Sequence, residues 1–237
     1  MGTLDFTSRS GEPEWLDDPN LTAGELQPVL HDLARLNGGM WGHWPVLRWL
    51  NRMSGFMRSN ERWTVLDVGC GYGDLLRAIR TWARKRGLDL ELIGLDVAPE
   101  TVNVARLATD DADGISYRAG DIFGFRPDRP VDLVVSSLLT HHFSDCQIVS
   151  FVRWMETTAR RGWLIYDLQR HIAPYAFIGL AGRVARLNPT VVRDGRISVA
   201  RSLTRSEWQR LLAAAGLSSS DANIRWFLYR FTIERLL

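Results

Sequence analysis

The chain has 237 residues, 46% of them hydrophobic, and 29 basic side chains against 27 acidic ones leave a formal charge of +2. That length can bury a core of useful size, while near-balanced charge argues against a general polyanion or nucleic-acid binder, which concentrates basic charge on one face. No run of about 18 apolar residues occurs, so no membrane span is expected; the apolar stretch "YAFIGLAG" is short and runs into Arg183 and Arg186.

In chain order, residues 1 to about 23 read as an irregular acidic arm, and no apolar signal core lies within it. Leu26, Val29, Leu30, Leu33 and Leu36 recur at helical spacing, and Asn37, Gly38 and Gly39 predict the stop. "WGHWPVLRWLNRMSGFM" predicts a second helix, rich in tryptophan and methionine. From there the pattern alternates. "WTVLDVG" is a continuous apolar run, as a parallel strand buried on both faces requires, and "DLLRAIRTWARKRG" is an amphipathic helix. "LELIGLDV", "ISYRAGDI", "VDLVVSSLL" and "GWLIYDLQ" predict four more strands. "PETVNVARLAT" and "CQIVSFVRWMETTAR" predict the helices between them. Residues 171 to 200 hold a helix of their own. Thr204 and Glu207 fit a capping box, with Gly216 as the stop, and "NIRWFLYRFTIERLL" reads as two short strands. The βαβα rhythm predicts an α/β fold with a doubly wound, Rossmann-like parallel sheet.

Two widely separated cysteines, Cys70 and Cys146, suit a reducing compartment, so a cytoplasmic location is expected. The basic side chains are almost all arginine, with Lys85 the one lysine, a bias associated with GC-rich bacterial genomes.

The stretch "VLDVGCGYGD" (65–74) holds Gly69, Gly71 and Gly73. A dinucleotide fingerprint needs its third glycine three places after the second, and a Walker loop needs a lysine that is absent here. Asp67 at the strand end would repel a phosphate but suits a ligand amine. The glycines permit close backbone approach, and the helix opening near Asp74 offers N–H groups to a carboxylate. Asp96, ending the second strand, is placed for the two hydroxyls of a ribose. Asp121, with the Ile122 N–H beside it, can accept a hydrogen bond from an adenine amine. Amino acid, ribose and adenine together describe S-adenosylmethionine (SAM).

On "VLDVGCGYGD", "LIGLDVAPE", "AGDIF" and "VDLVVSSLLTHHF", in that order, residues 60 to 237 resemble the class I SAM-dependent methyltransferases. The resemblance implies a seven-stranded sheet whose last strand is antiparallel. It also implies a SAM site with Gly69, Gly71 and Gly73 under the methionine part and Asp96 on the ribose, with Asp67 and Val97 as further cofactor-binding residues. Asp121 and Ile122 would lie at the adenine, and Ser136 or Ser137 near the amine. Residues 59–237 would be the methyltransferase domain. Residues 1–58 would form an arm and helical lid, carrying Trp41, Trp44, Trp49 and Phe56, and residues 171–200 a lid insertion. Packing of those tryptophans on the sheet suits their spacing equally.

For the acceptor, no N-P-P-Y or D-P-P-Y follows the fourth strand and neither cysteine sits in a nucleophile motif, so methylation of nucleic-acid bases is disfavoured. "SSLLTHHF" puts His141 and His142 just beyond the fourth strand, where open α/β sheets bind ligands. An imidazole there can take a phenol proton, with His142 slightly preferred as the base; helix capping or packing is the alternative. "YDLQRH" adds Tyr166, Asp167, Arg170 and His171, with Asp167 and His171 as further catalytic candidates or members of a structural network. No metal-ligand cluster is evident, and no metal is expected. With the leading segment included, the chain is similar to a bacterial subgroup of ubiquinone/menaquinone-type enzymes associated with secondary metabolism, including type III polyketide pathways. That implies O- or C-methylation of a small phenolic or quinone-like acceptor by a monomer or homodimer. N-methylation, SAM-dependent cyclisation and a non-catalytic SAM-binding partner protein are the alternatives.

Overall fold

The computed structural model describes residues 6–39, 42–58, 60–184 and 186–237. Seven strands, β1 (Trp63–Val68), β2 (Leu90–Asp96), β3 (Ile115–Ala119), β4 (Val131–Ser137), β5 (Ala159–Leu168), β6 (Asn223–Phe227) and β7 (Arg230–Leu236), build one sheet. Its order is β3-β2-β1-β4-β5-β7-β6. The first five strands run parallel, and β7 pairs antiparallel with both β5 and β6. Every residue of β1 and all but the last of β4 are buried, the signature of strands covered on both faces. Strand order reverses between β1 and β4, so the crevice where such folds bind ligands opens beyond Val68 and Ser137.

Among the described residues, eight α-helices accompany the sheet: α1 (Ala23–Gly39), α2 (Trp44–Met53), α3 (Asp74–Arg84), α4 (Pro99–Leu107), α5 (Asp145–Thr158), α6 (Ile172–Val184), α7 (Pro189–Arg201) and α8 (Arg205–Ala215). The Thr204–Glu207 capping box forms, and Gly216 ends α8 at φ 98°. The predicted stop of α1 comes later than its glycines suggest, since the helix runs through Asn37 and Gly38 to Gly39.

The two N-terminal helices have different surroundings. In α2, Val46, Trp49, Leu50 and Met53 bury against Trp63, Val65 and Leu164 of the sheet. Trp49, only 1% exposed, is therefore a core side chain and not a lid residue. Trp44 is partly exposed and stacks on Phe227, Phe56 is exposed, and Trp41 lies outside the described residues. Helix α1 packs instead over the ligand end. Leu26 and Leu30 meet Val104 of α4 with Tyr72 of the glycine loop alongside, and Val29 meets Leu187 and Val191. Helices α6 and α7 form a hairpin whose close approach uses glycine: a Cβ at Gly182 would stand 2.2 Å from Val192.

Candidate active site

The glycine loop joins β1 to α3 with Gly69, Gly71 and Gly73 at φ 70°, 49° and 74°, the left-handed region that disfavours side chains. The three do different work. A Cβ on Gly69 would strike Leu139 and one on Gly73 would strike Tyr117, so both are packing positions, whereas Gly71 faces open space. The Gly71 N–H donates to the Asp96 carboxylate at 2.9 Å, and Ala98 N–H donates to its other oxygen at 3.1 Å. Burial nevertheless pushes the Asp96 carboxyl up from its ordinary value, against those N–H donors and the nearby His142.

Asp67 ends the same crevice. It is 1% exposed, and its Oδ1 has no hydrogen-bond partner among the described residues. Burial, with the charges of Asp74 and Asp96 behind it, raises its pKa well above the usual carboxylate range. On the neighbouring strand, where Ser136 pairs with Val68, the Ser136 Oγ is buried and equally without a partner; Ser137 is half-buried. Buried polar atoms are almost always bonded, so two orphans on adjacent strands mark a place for a polar ligand. Val97 is 72% exposed, an apolar side chain in solvent beside Asp96. Ile122 is buried, and the exposed Asp121 accepts the Phe123 N–H at 3.2 Å. Cys70 is a buried core thiol, its pKa raised by burial.

Beyond β4, Leu138 adopts φ 57°, and the turn it makes carries Thr140, His141 and His142 on a short 3₁₀ segment. The Asp167 carboxylate at the end of β5 gathers this turn. It accepts from Thr140 Oγ1, from His141 N–H at 3.0 Å and from His141 Nδ1 at 2.8 Å. Burial alone would raise the Asp167 pKa, but His141 and these donors hold it down at about 2. His141 is 3% exposed and His142 26%. His142 Nδ1 lies 2.8 Å from Asp17 Oδ1.

Asp17 belongs to the acidic arm, whose backbone is irregular apart from a 3₁₀ turn at Trp15–Asp17 but is tied down by hydrogen bonds and ion pairs. Residues 6 to 18 lie as a strap over the turn. Arg9 donates to the carbonyls of His141, Phe143 and Arg201, and the buried Arg170 donates to those of Phe6, Thr7 and Ser202. Trp15 and Leu16 donate their N–H groups to Asp194 of α7. Ser198 donates to the buried Glu14 at 2.9 Å, and Arg201 stands 3.7 Å from it. Burial pushes the Glu14 carboxyl up to about 7, against His142, Ser198 and Arg201. For Asp17, bonds to His142 and Arg201 outweigh burial and hold the carboxyl low.

Residues 65–162 match the family model described as a methyltransferase domain. The matched stretch, from β1 into β5 with the glycine loop, Asp96 and the histidine turn, is similar to a methyltransferase domain. The human N-acetylserotonin methyltransferase, solved with SAM, superposes with a TM-score of 0.62 at 18% identity, over 91% of this chain but 56% of that one. A plantazolicin methyltransferase, solved with S-adenosylhomocysteine and a substrate analogue, gives 0.61 at 18% identity, over 83% and 70%. The magnesium protoporphyrin IX methyltransferase of Synechocystis with bound S-adenosylhomocysteine gives 0.55 at 15%, over 96% and 89%. At such identities the likeness is one of fold.

The "YDLQRH" residues take separate roles. Asp167 joins the histidine turn, Tyr166 accepts from Arg230 at 2.8 Å, and Arg170 ties down the strap and Glu207. His171 is exposed, accepts the Ala173 N–H at the start of α6 and stacks on Tyr229. It shares no hydrogen bond or ion pair with His141 or His142. Glu14 and Asp17 are the residues that sequence reasoning missed. The apolar pair Trp15–Leu16 inside an acidic arm was the available signal.

Proposed function

We propose that the protein transfers a methyl group from SAM to oxygen or carbon of a small phenolic or quinone-like acceptor. The observation that carries the cofactor half is the pair of orphaned buried atoms, Asp67 Oδ1 and Ser136 Oγ, beside the open space over Gly71. They suit an ammonium group. Asp96, raised in pKa by burial and already fixed by two backbone donors, suits the ribose hydroxyls, and the exposed Val97 offers an apolar face to the adenine, with Asp121 and Ile122 on its other side. SAM supplies an electrophilic methyl on a sulfonium, so the protein's share is alignment and exclusion of water.

The acceptor half rests on the histidine turn. Asp167 fixes the ring of His141, Asp17 that of His142, and the more exposed His142 is the one able to touch an acceptor. The strap, α1 and the α6–α7 hairpin would wall that space. Incubation with SAM and a panel of phenols and hydroquinones, read by mass for a gain of one methyl, tests the reading. Methylation of a panel member supports it. NADH binding more tightly than SAM in a calorimeter would overturn the cofactor half, and a strictly amine-selective product would overturn the acceptor class.

A further inference from the structure

Three side chains from two distant parts of the chain converge at the crevice mouth in a way that cofactor binding does not require. His141 Nδ1 and His142 Nδ1 each lie 2.8 Å from a different carboxylate, Asp167 and Asp17. A carboxylate oxygen accepts, so in each pair the ring nitrogen on that side is the donor and carries the proton. The opposite nitrogens then present lone pairs, and both face the same buried carboxylate. His141 Nε2 stands 3.6 Å from Glu14 Oε1 and His142 Nε2 3.9 Å from Glu14 Oε2. These separations are too long for hydrogen bonds. Lone pairs directed at carboxylate oxygens repel unless a positive charge lies between them.

We propose that Glu14, His141 and His142 form a binding site for one divalent transition-metal ion, with Asp17 and Asp167 as the carboxylates that orient the two imidazoles. Ligand atoms around a tetrahedral zinc at about 2.1 Å stand about 3.4 Å apart. The three candidate ligand atoms all lie within 4.8 Å of one another, so small side-chain adjustments close the site. The carboxylate–histidine–metal arrangement fixes tautomer and ring direction in such centres. Charge agrees: with Glu14 deprotonated, as a ligand must be, Glu14, Asp17 and Asp167 carry three negative charges against Arg201, which pairs with Asp17 and lies 3.7 Å from Glu14. Two uncompensated negative charges match a dication. Two imidazoles and a carboxylate suit zinc, iron, cobalt or nickel better than magnesium. The remaining coordination position opens on the side of the half-exposed His142, where a metal would act as a Lewis acid toward an acceptor oxygen. That role rests on the methyl-transfer reading; the binding of metal does not.

The test uses the full chain stripped with a chelator, with Zn²⁺ and Co²⁺ as probes and neither SAM nor acceptor present. One zinc per chain is expected, with a Kd of about 10 μM or tighter, and a visible absorption band is expected with cobalt. Glu14→Gln and His142→Ala should each weaken zinc at least tenfold, and Asp17→Asn about 10–100-fold, whereas His171→Ala should leave it unchanged. Melting temperatures of the metal-free variants separate lost ligands from lost folding; if Glu14→Gln does not fold, the more exposed His142 decides. Stoichiometric binding lost in the ligand variants supports the site. No zinc binding by the wild type, or binding unaltered by both ligand variants, overturns it and shows that protons alone hold the cluster. Metal binding without methyl transfer to any acceptor would remove the proposed activity and leave the site standing.

Discussion

The proposed cofactor end and the proposed acceptor end of this crevice are built on opposite principles. At the cofactor end, Asp96 is fixed by backbone N–H groups of Gly71 and Ala98, and every proposed participant belongs to β1 to β4 or the turns that follow them. At the acceptor end, the fixing groups are side chains: Asp167 and Asp17 on the two histidines, Ser198 and Arg201 on Glu14, Arg9 and Arg170 on strap carbonyls. Backbone geometry persists as long as the sheet does. The acceptor end persists only while a terminal segment stays docked, and elements of this type are drawn from the less stable parts of a fold. Cofactor binding and turnover should therefore be separable.

The largest expected effect breaks the two apart. His142→Ala should lower kcat by about 10²–10⁴-fold, the range for a positioned general base, with SAM affinity near wild type by calorimetry. A chain starting at Pro19, without the strap, should show the same split, since it loses Glu14, Asp17 and Arg9 but no cofactor contact. Weakened SAM binding in either variant would mean that the two ends are one unit. Asp96→Ala makes the opposite cut. A charge-assisted bond is worth about 1.5–3 kcal/mol, so SAM affinity should fall about 10–150-fold while zinc binding at the strap is unaffected.

A smaller effect tests the support beneath the glycine loop. Tyr117 is buried, its hydroxyl 3.0 Å from Thr109 Oγ1, and burial pushes its pKa up to about 12. An unfolded tyrosine titrates near 10. The folded value is the raised one, so the protonated phenol's contribution is fully present below pH about 10 and is lost as pH rises toward 12. At pH 11 the loss should be about 1 kcal/mol in urea unfolding, and Tyr117→Phe should abolish that slope. Equal slopes in both proteins would contradict it. The smallest effect is expected for His171→Ala, within about 0.5 kcal/mol of wild-type stability and without change in kcat; a large kcat loss would return His171 to the site.

The same division explains what the sequence could disclose. Strand and helix order, the glycine turn, and Asp67, Asp96 and Ser136 follow from patterns spanning ten to thirty residues, where apolar runs and glycine spacing have local causes. The histidine turn was legible by position alone. Its partners were not, because Asp17 is 125 residues from His142 and Glu14 is 184 from Ser198. Acidic composition made residues 1 to about 23 read as loose, yet Trp15, Leu16 and Leu21 supply enough apolar surface to seat the segment. The second helix shows a different limit. Tryptophan at helical spacing fits a lid or a core equally, and only the position of Trp49 against Trp63 decides for the core.

The pairing of Glu14 with Ser198 also has a consequence for biosynthesis. Domains form as the chain leaves the ribosome, at about 5–20 residues per second. The strap is made first, but Asp194, Ser198 and Arg201 follow about 180 residues later. β1 to β4 are complete by Ser137, so a nascent chain acquires its glycine loop and Asp96 well before Glu14 finds a partner on α7. A ribosome-stalled chain would thus hold the elements proposed to capture cofactor before it could engage an acceptor, and competence for transfer would arrive only once α7 has been made.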